Sequence, residues 1–410
     1  MKKIISLFIA FALLVSCQKD NNGNQGNGKI AIKGTIPGKS QKKSAEISSL
    51  TDAKKVLVFS KYYYSLTDIV NGSFTVTGQI GTGVALIFLD VNNKYIGNLS
   101  AQGLNMLPLG SLSNGENTTI DLSTLTLVGK SVIPSHDPFG KEIQISETEI
   151  NSLKAIGGFY ESIAKNIDTD NDGIPDVLSN KQLVIFTIYG IYCGHWGYNN
   201  TLPVLTDISH FFVNYSLEID GGKDLTFSNG NIALSGPVID PYTDITTWGY
   251  KLNPGGDLGF LSSFCRQGIP PVGFPWGTAF LPFKDGTYTL KLDGNRSFTL
   301  DYSNVDVKTN LVFVVPTLHT NSEGRLTSIS LEYKLQNGTV INPENILTNI
   351  MVQLSDNQAN QFYVNDKKKL TISTGFASIT PDTPVDISTL ANIGIWYDDL
   401  LGNQYAIIWQ

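Results

Sequence analysis

Along most of the chain, apolar residues alternate with polar ones in short runs, each bounded by Gly, Asn or Pro. A period of two predicts half-buried strands. The first set is Lys29–Ile36, Lys54–Ser60, Ser73–Gly78, Val84–Asp90 and Lys94–Leu99, with a hairpin turn at Asp90-Val-Asn-Asn93. The period changes once. Ile150, Leu153, Ile156, Tyr160 and Ile163 recur at helical spacing, so Ser146–Ile167 reads as a helix with one apolar face. Ser146 and Glu149 stand at capping-box spacing, which satisfies orphan N–H groups at the helix start. Gly157-Gly158 weakens the middle of that helix by roughly 1 kcal/mol per Gly.

Beyond it the chain is β again. Leu183–Tyr192 is a long apolar run, as in a strand buried on both faces. Phe211–Ile219, Asp224–Phe227, Thr287–Leu292, Ser297–Tyr302, Leu311–Val315, Ser328–Leu335, Lys369–Ser373 and Tyr405–Trp409 follow as shorter strands. Asp285-Gly286, Asp293-Gly294 and Asn337-Gly338 supply the positive φ that hairpin turns need. The predicted class is mainly β: multi-domain β-sandwiches with one α-helix and an Asp-rich loop between them. The expected division is 1–17, an export signal; 18–28, a polar tether; 29–128, a β-sandwich; 129–182, the helix and loop; 183–305 and 306–410, two further β domains. The boundary near 305 rests on length alone.

The N-terminus carries an address. Lys2 and Lys3 precede an apolar run from Ile4 to Val15, too short to cross a membrane and of the right length for a secretory signal. The run ends Leu14-Val15-Ser16-Cys17, which resembles the bacterial lipobox. The resemblance implies cleavage before Cys17, a diacylglycerol thioether on its sulfur, and a fatty chain such as palmitate on the new N-terminus. Several chains anchor almost permanently, since each buried CH₂ contributes about 0.8 kcal/mol. Residues 18–28, QKDNNGNQGNG, have no apolar periodicity and read as a flexible tether. Gln18-Lys19-Asp20 resembles the export signal of Bacteroidota-type surface lipoproteins, although Asn21 stands where that signal favours a second acid. The resemblance implies outer-membrane anchoring at the cell surface, with the periplasmic face left open. Gly34-Thr-Ile36, Val56-Leu-Val58 and Asn71-Gly-Ser-Phe74 resemble the prealbumin-like, carboxypeptidase-regulatory sandwich, whose members are usually spacers.

Composition narrows the partners. With 410 residues at 41% hydrophobic and 16% charged, the chain has apolar material enough for sizeable cores and too much for a disordered chain. A net charge of −7 argues against a nucleic-acid binder that lives on phosphate neutralisation. Four His, at 136, 195, 210 and 319, show no zinc-ligand spacing.

The most specific internal motif is Asp168-Thr-Asp170-Asn-Asp172-Gly173-Ile174-Pro-Asp176. Carboxylates at alternate positions of a tight loop converge their oxygens on one point. Gly173 allows the sharp turn, and the Ile174 carbonyl falls where a backbone ligand would sit. Hard oxygen donors in that number suit Ca²⁺. The run resembles the Asp-rich loop of thrombospondin type-3 repeats, which implies Asp168, Asp170, Asp172 and Asp176 as ligands. An EF-hand would carry a bidentate Glu at the twelfth position, where this chain has Ser179. A solvated acidic loop is the alternative.

With Cys17 lipidated, Cys193 and Cys265 are left, and in an exported protein a leftover pair is expected to be bridged rather than present as two buried thiols. Phe260, Phe264, Phe274 and Trp276 stand among Gly and Pro in a stretch too irregular for a strand. They suit two roles, plugging the end of a sandwich or forming an exposed binding loop. No nucleophile elbow or phosphate loop is present. The expectation is a lipid-anchored, non-enzymatic envelope protein that acts in adhesion or captures a glycan or protein. A surface polysaccharide hydrolase or transport-complex subunit is the alternative.

Overall fold

The computed structural model describes residues 28–38, 50–60, 64–110, 112, 119–156, 167–168, 170–179, 185–194, 211–214, 231–235, 248–251, 286–291, 297–302, 312–356, 361–364, 371–373, 376–379, 385–400 and 404–409. The chain is mainly β, with several sheets and one α-helix among these residues.

The first sheet uses β1 (Lys29–Thr35), β2 (Lys55–Ser60), β3 (Tyr64–Asp68), β4 (Ser73–Gln79), β5 (Gly83–Leu89), β6 (Tyr95–Leu99), β7 (Leu107–Pro108), β8 (Thr119–Val128) and β9 (Ser131–Pro134). They run in the order β3-β2-β5-β6-β9-β8-β1-β4, with β7 on β5. Alternation decides which face is core. Ile30 and Ile32 of β1 and Phe74 and Val76 of β4 point inward, while their neighbours face outward or lie half-buried. Strand β5 is buried along its whole length and forms the centre of the core. Phe74 meets Phe88 edge-on, with ring centroids 5.7 Å apart, the offset geometry aromatic pairs prefer. Asn71 and Gly72 both have positive φ, 50° and 75°. That allows the two-residue turn in which Val70 and Ser73 exchange both backbone hydrogen bonds at 2.9 Å. The expected hairpin turn at Asp90 is present, its carboxylate Oδ1 accepting from the N–H groups of Asn92 and Lys94.

Helix α1 spans Glu147–Ile156. Of its predicted apolar stripe, Ile150 and Leu153 pack into the core, where each such side chain contributes about 1.5–3 kcal/mol; Tyr160 and Ile163 lie outside the described residues. The predicted extent is corrected at the far end, because Ile167 lies in a bend and its carbonyl accepts from Asp176 N at 2.8 Å. Residues 157–166, which include Gly157-Gly158, lie outside the described set.

The remaining strands are β10 (Ile185–Gly194), β11 (Phe211–Asn214), β12 (Asn231–Ser235), β13 (Trp248–Lys251), β14 (Gly286–Lys291), β15 (Ser297–Tyr302), β16 (Phe313–Thr320), β17 (Arg325–Lys334), β18 (Leu347–Asp356), β19 (Gln361–Val364), β20 (Thr371–Ser373), β21 (Phe376–Ile379), β22 (Val385–Asp386), β23 (Leu390–Asp399) and β24 (Gln404–Trp409). They form a six-stranded sheet in the order β11-β10-β24-β23-β18-β19, a four-stranded sheet β13-β12-β14-β15, and a five-stranded sheet β16-β17-β21-β20 with β22 on β17. Strand β10 pairs in parallel with β24, so the six-stranded sheet draws strands from both sides of residue 305. The expected strand Asp224–Phe227 lies outside the described residues.

Candidate metal centre

The Asp-rich loop is built from short-range hydrogen bonds. Asp168 Oδ1 accepts from Asp172 N at 3.1 Å, and its Oδ2 accepts from Gly173 N at 2.6 Å. Asp172 Oδ1 accepts from Ile174 N at 2.8 Å. Gly173 has φ +87°, the left-handed conformation that its lack of a Cβ makes cheap. Two longer-range contacts then fix the loop in space. The Asp176 N–H bond to Ile167 closes it, and Gly173 O accepts from Tyr95 N at 2.9 Å, which pins it to the start of β6. The stem of Lys94 lies against Gly173.

This wrapping brings Asp168, Asp170 and Asp176 together, with one carboxylate oxygen of each within 4.8 Å of the others. Asp176 is fully buried, at the start of the 3₁₀ turn Asp176–Ser179. Burial pushes the Asp168 carboxyl above its ordinary value, and the Asp172 charge and a hydrogen bond with Asp170 act in the same direction. The Gly173 and Asp172 N–H groups pull it back. Two like charges at this separation repel by about 3–4 kcal/mol at an effective dielectric near 20.

The donor set fits a hard divalent cation. Oxygens bound to one Ca²⁺ sit about 2.3–2.6 Å from it, so any two of them are at most about 5 Å apart. Ca²⁺ takes six to eight oxygens, so three carboxylates leave room for carbonyls and water. Asp172, expected as a fourth ligand, turns one oxygen to the Ile174 N–H and stands outside the group of three. Ile174 is half-buried beside it.

Other expected positions are placed less fully. Cys193 lies in β10, whereas Cys17, Cys265, Phe260, Phe264, Phe274 and Trp276 lie outside the described residues, as do His195 and His210. His136 pairs with Glu142 at 2.9 Å, and His319 meets Ser330 Oγ at 2.6 Å. The sequence reading missed the Tyr95–Gly173 pin, for which no local motif exists, because its two ends lie far apart in the chain. No described helix is long and apolar enough to cross a membrane.

No family model matches this sequence, and no curated protein matches it. Among solved structures, a DUF3823 family protein from Bacteroides ovatus overlaps at 11% identity, covering 45% of this chain and 90% of that one, with a TM-score of 0.16. A tetra-tandem repeat from the extending region of a large adhesion protein overlaps at 10% identity, over 93% of this chain and 73% of that one, with a TM-score of 0.16. A 1.5-MDa bacterial ice-binding adhesin overlaps at 8% identity, over 87% and 83%, with a TM-score of 0.12. At these TM-scores the overlaps define no shared fold.

Proposed function

We propose that this chain is a lipid-anchored, non-enzymatic protein of the bacterial cell surface that captures a glycan or protein ligand and carries structural calcium in its Asp168–Asp176 loop. The observation that supports it is the convergence of three carboxylates, one fully buried, in a loop pinned to the first sheet by the Tyr95–Gly173 backbone hydrogen bond. A cation there stiffens the exit from the helix segment. Affinity in the 10⁻⁴–10⁻³ M range, on the order of that of extracellular modules, suits a compartment rich in calcium. The Leu14–Cys17 motif points to the same compartment, in which a Cys193–Cys265 bridge is expected.

The test uses cells making the full chain. Cys17→Ser should abolish fatty-acid labelling and release the protein from the membrane fraction, and protease added to intact cells should digest the wild-type protein. A glycan and protein array probed with the released form should then give binding without turnover. Unchanged labelling of the variant would remove the anchor, and cleavage of an arrayed polysaccharide would replace capture with hydrolysis.

A further inference from the structure

Glu149 does more than cap its helix. Its Oε2 accepts from Ser146 N at 2.7 Å and from Ser146 Oγ at 2.8 Å, while Glu149 N donates to Ser146 Oγ at 3.3 Å. That is the reciprocal capping box. The same carboxylate also reaches across the molecule. Oε1 accepts from Asn342 N at 3.0 Å, and Oε2 accepts from Asn345 Nδ2 at 3.3 Å. The Asn345 amide donates in addition to Gln144 O at 2.8 Å. Asn342 caps the 3₁₀ turn Pro343–Asn345 through its own side chain, so the turn is already shaped to present these donors.

The surroundings make the contact costly to open. Glu149 and Asn345 are buried, at 4% and 2% exposure. Every donor named above is neutral, so among the described residues hydrogen bonds compensate the carboxylate, and separation would leave a buried charge and several donors without these partners. The backbone comes close beside it. A Cβ on Gly110 would stand 1.8 Å from Glu344 O, so the chain at Gly110 lies directly against the turn.

We propose that Glu149 is an interdomain latch, in which one carboxylate both starts α1 and holds the Pro343–Asn345 turn, so that the N-terminal sheet with its helix and the β16–β23 region unfold as one unit. The latch is independent of the calcium reading, since none of its donors belongs to the Asp168–Asp176 loop.

Calorimetry of the mature full-length chain tests it. The wild type should show one transition for these two regions. Glu149→Gln keeps the size of the side chain but turns an amide N–H₂ toward groups that are themselves donors, and it should split that transition in two. Asn345→Ala attacks the contact from the far side and leaves the Ser146–Glu149 box intact; it should split the transition as well, and it decides the matter if Glu149→Gln fails to fold. Ser146→Ala, which touches only the cap, should lower the melting temperature without a split. The Glu149→Gln/Asn345→Ala double variant should lose little more than the worse single variant. Two transitions in the wild type, an unsplit transition in Asn345→Ala, or fully additive losses in the double variant would overturn the latch.

Discussion

The Asp168–Asp176 loop and the start of α1 each bury a carboxylate, and they surround it in opposite ways. Asp176 has two further carboxylates within 4.8 Å, whereas Glu149 has neutral N–H and O–H donors from both halves of the protein. The first arrangement carries a repulsion that an external cation can reverse in sign. The second is complete as soon as the chain folds. A buried charge can therefore make a structure conditional on a solute or on its own long-range contacts, and this molecule uses both solutions within about thirty residues of one another.

The sharpest way to break the second arrangement is steric. Gly110→Ala should cost about 3 kcal/mol, because its methyl would overlap the Glu344 carbonyl and overpacking of this kind rarely relaxes cheaply. Chemical denaturation reads this directly, and an unchanged midpoint would mean that the contact at Gly110 is loose. The Asp168–Asp176 loop should be unaffected by that change.

For the first arrangement, adding Ca²⁺ to the chelated full-length chain should stabilise it by about 2.7 kcal/mol at a hundredfold excess over Kd. Asp170→Ala should erase most of that rise. Asp172→Asn should keep most of it, since an amide oxygen can still accept the Ile174 N–H. Glu149→Gln should leave the calcium-dependent rise intact, separating the two sites. Equal losses in the Asp170 and Asp172 variants would return Asp172 to the ligand set.

A surface carboxylate supplies the scale. The Ser123 N–H, and after it the Lys33 side chain, hold Asp121 below its ordinary value. Its folded-state value is thus the depressed one, so its contribution is present at neutral pH and is lost as the pH falls through that value. Both partners of the ion pair are about half exposed, so Asp121→Asn should cost at most about 0.5 kcal/mol near neutrality. The difference between the two proteins should vanish in acid, and a difference that persists there would assign the effect to packing.

Local chemistry explains how much of this was readable in advance. Strands such as β1, β4 and β15 show apolar alternation between turn residues, and Ser297–Tyr302 was predicted to the residue. Strands β18 and β23 were missed. In β18, Val352, Gln353, Leu354 and Ser355 are all buried, so both faces of the strand are covered although the residues alternate in polarity. The helix start was legible because a capping box is defined over four residues; at the far end Ile167 lies in a bend, and residues 157–166 are outside the described set. The convergence of Asp168, Asp170 and Asp176 was likewise implicit in their spacing.

The sequence alone therefore determined what depends on neighbours within a few residues: strand alternation, the capping box, the Asp-rich turn and the lipobox-like start. Only the tertiary structure decided that Gly173 is pinned by Tyr95, that β10 lies beside β24, and that the glutamate capping α1 also receives Asn342 and Asn345. Those pairings join residues far apart in the chain. Burial makes them strong by removing competing water, and nothing in the local spacing of residues encodes which distant donor will arrive.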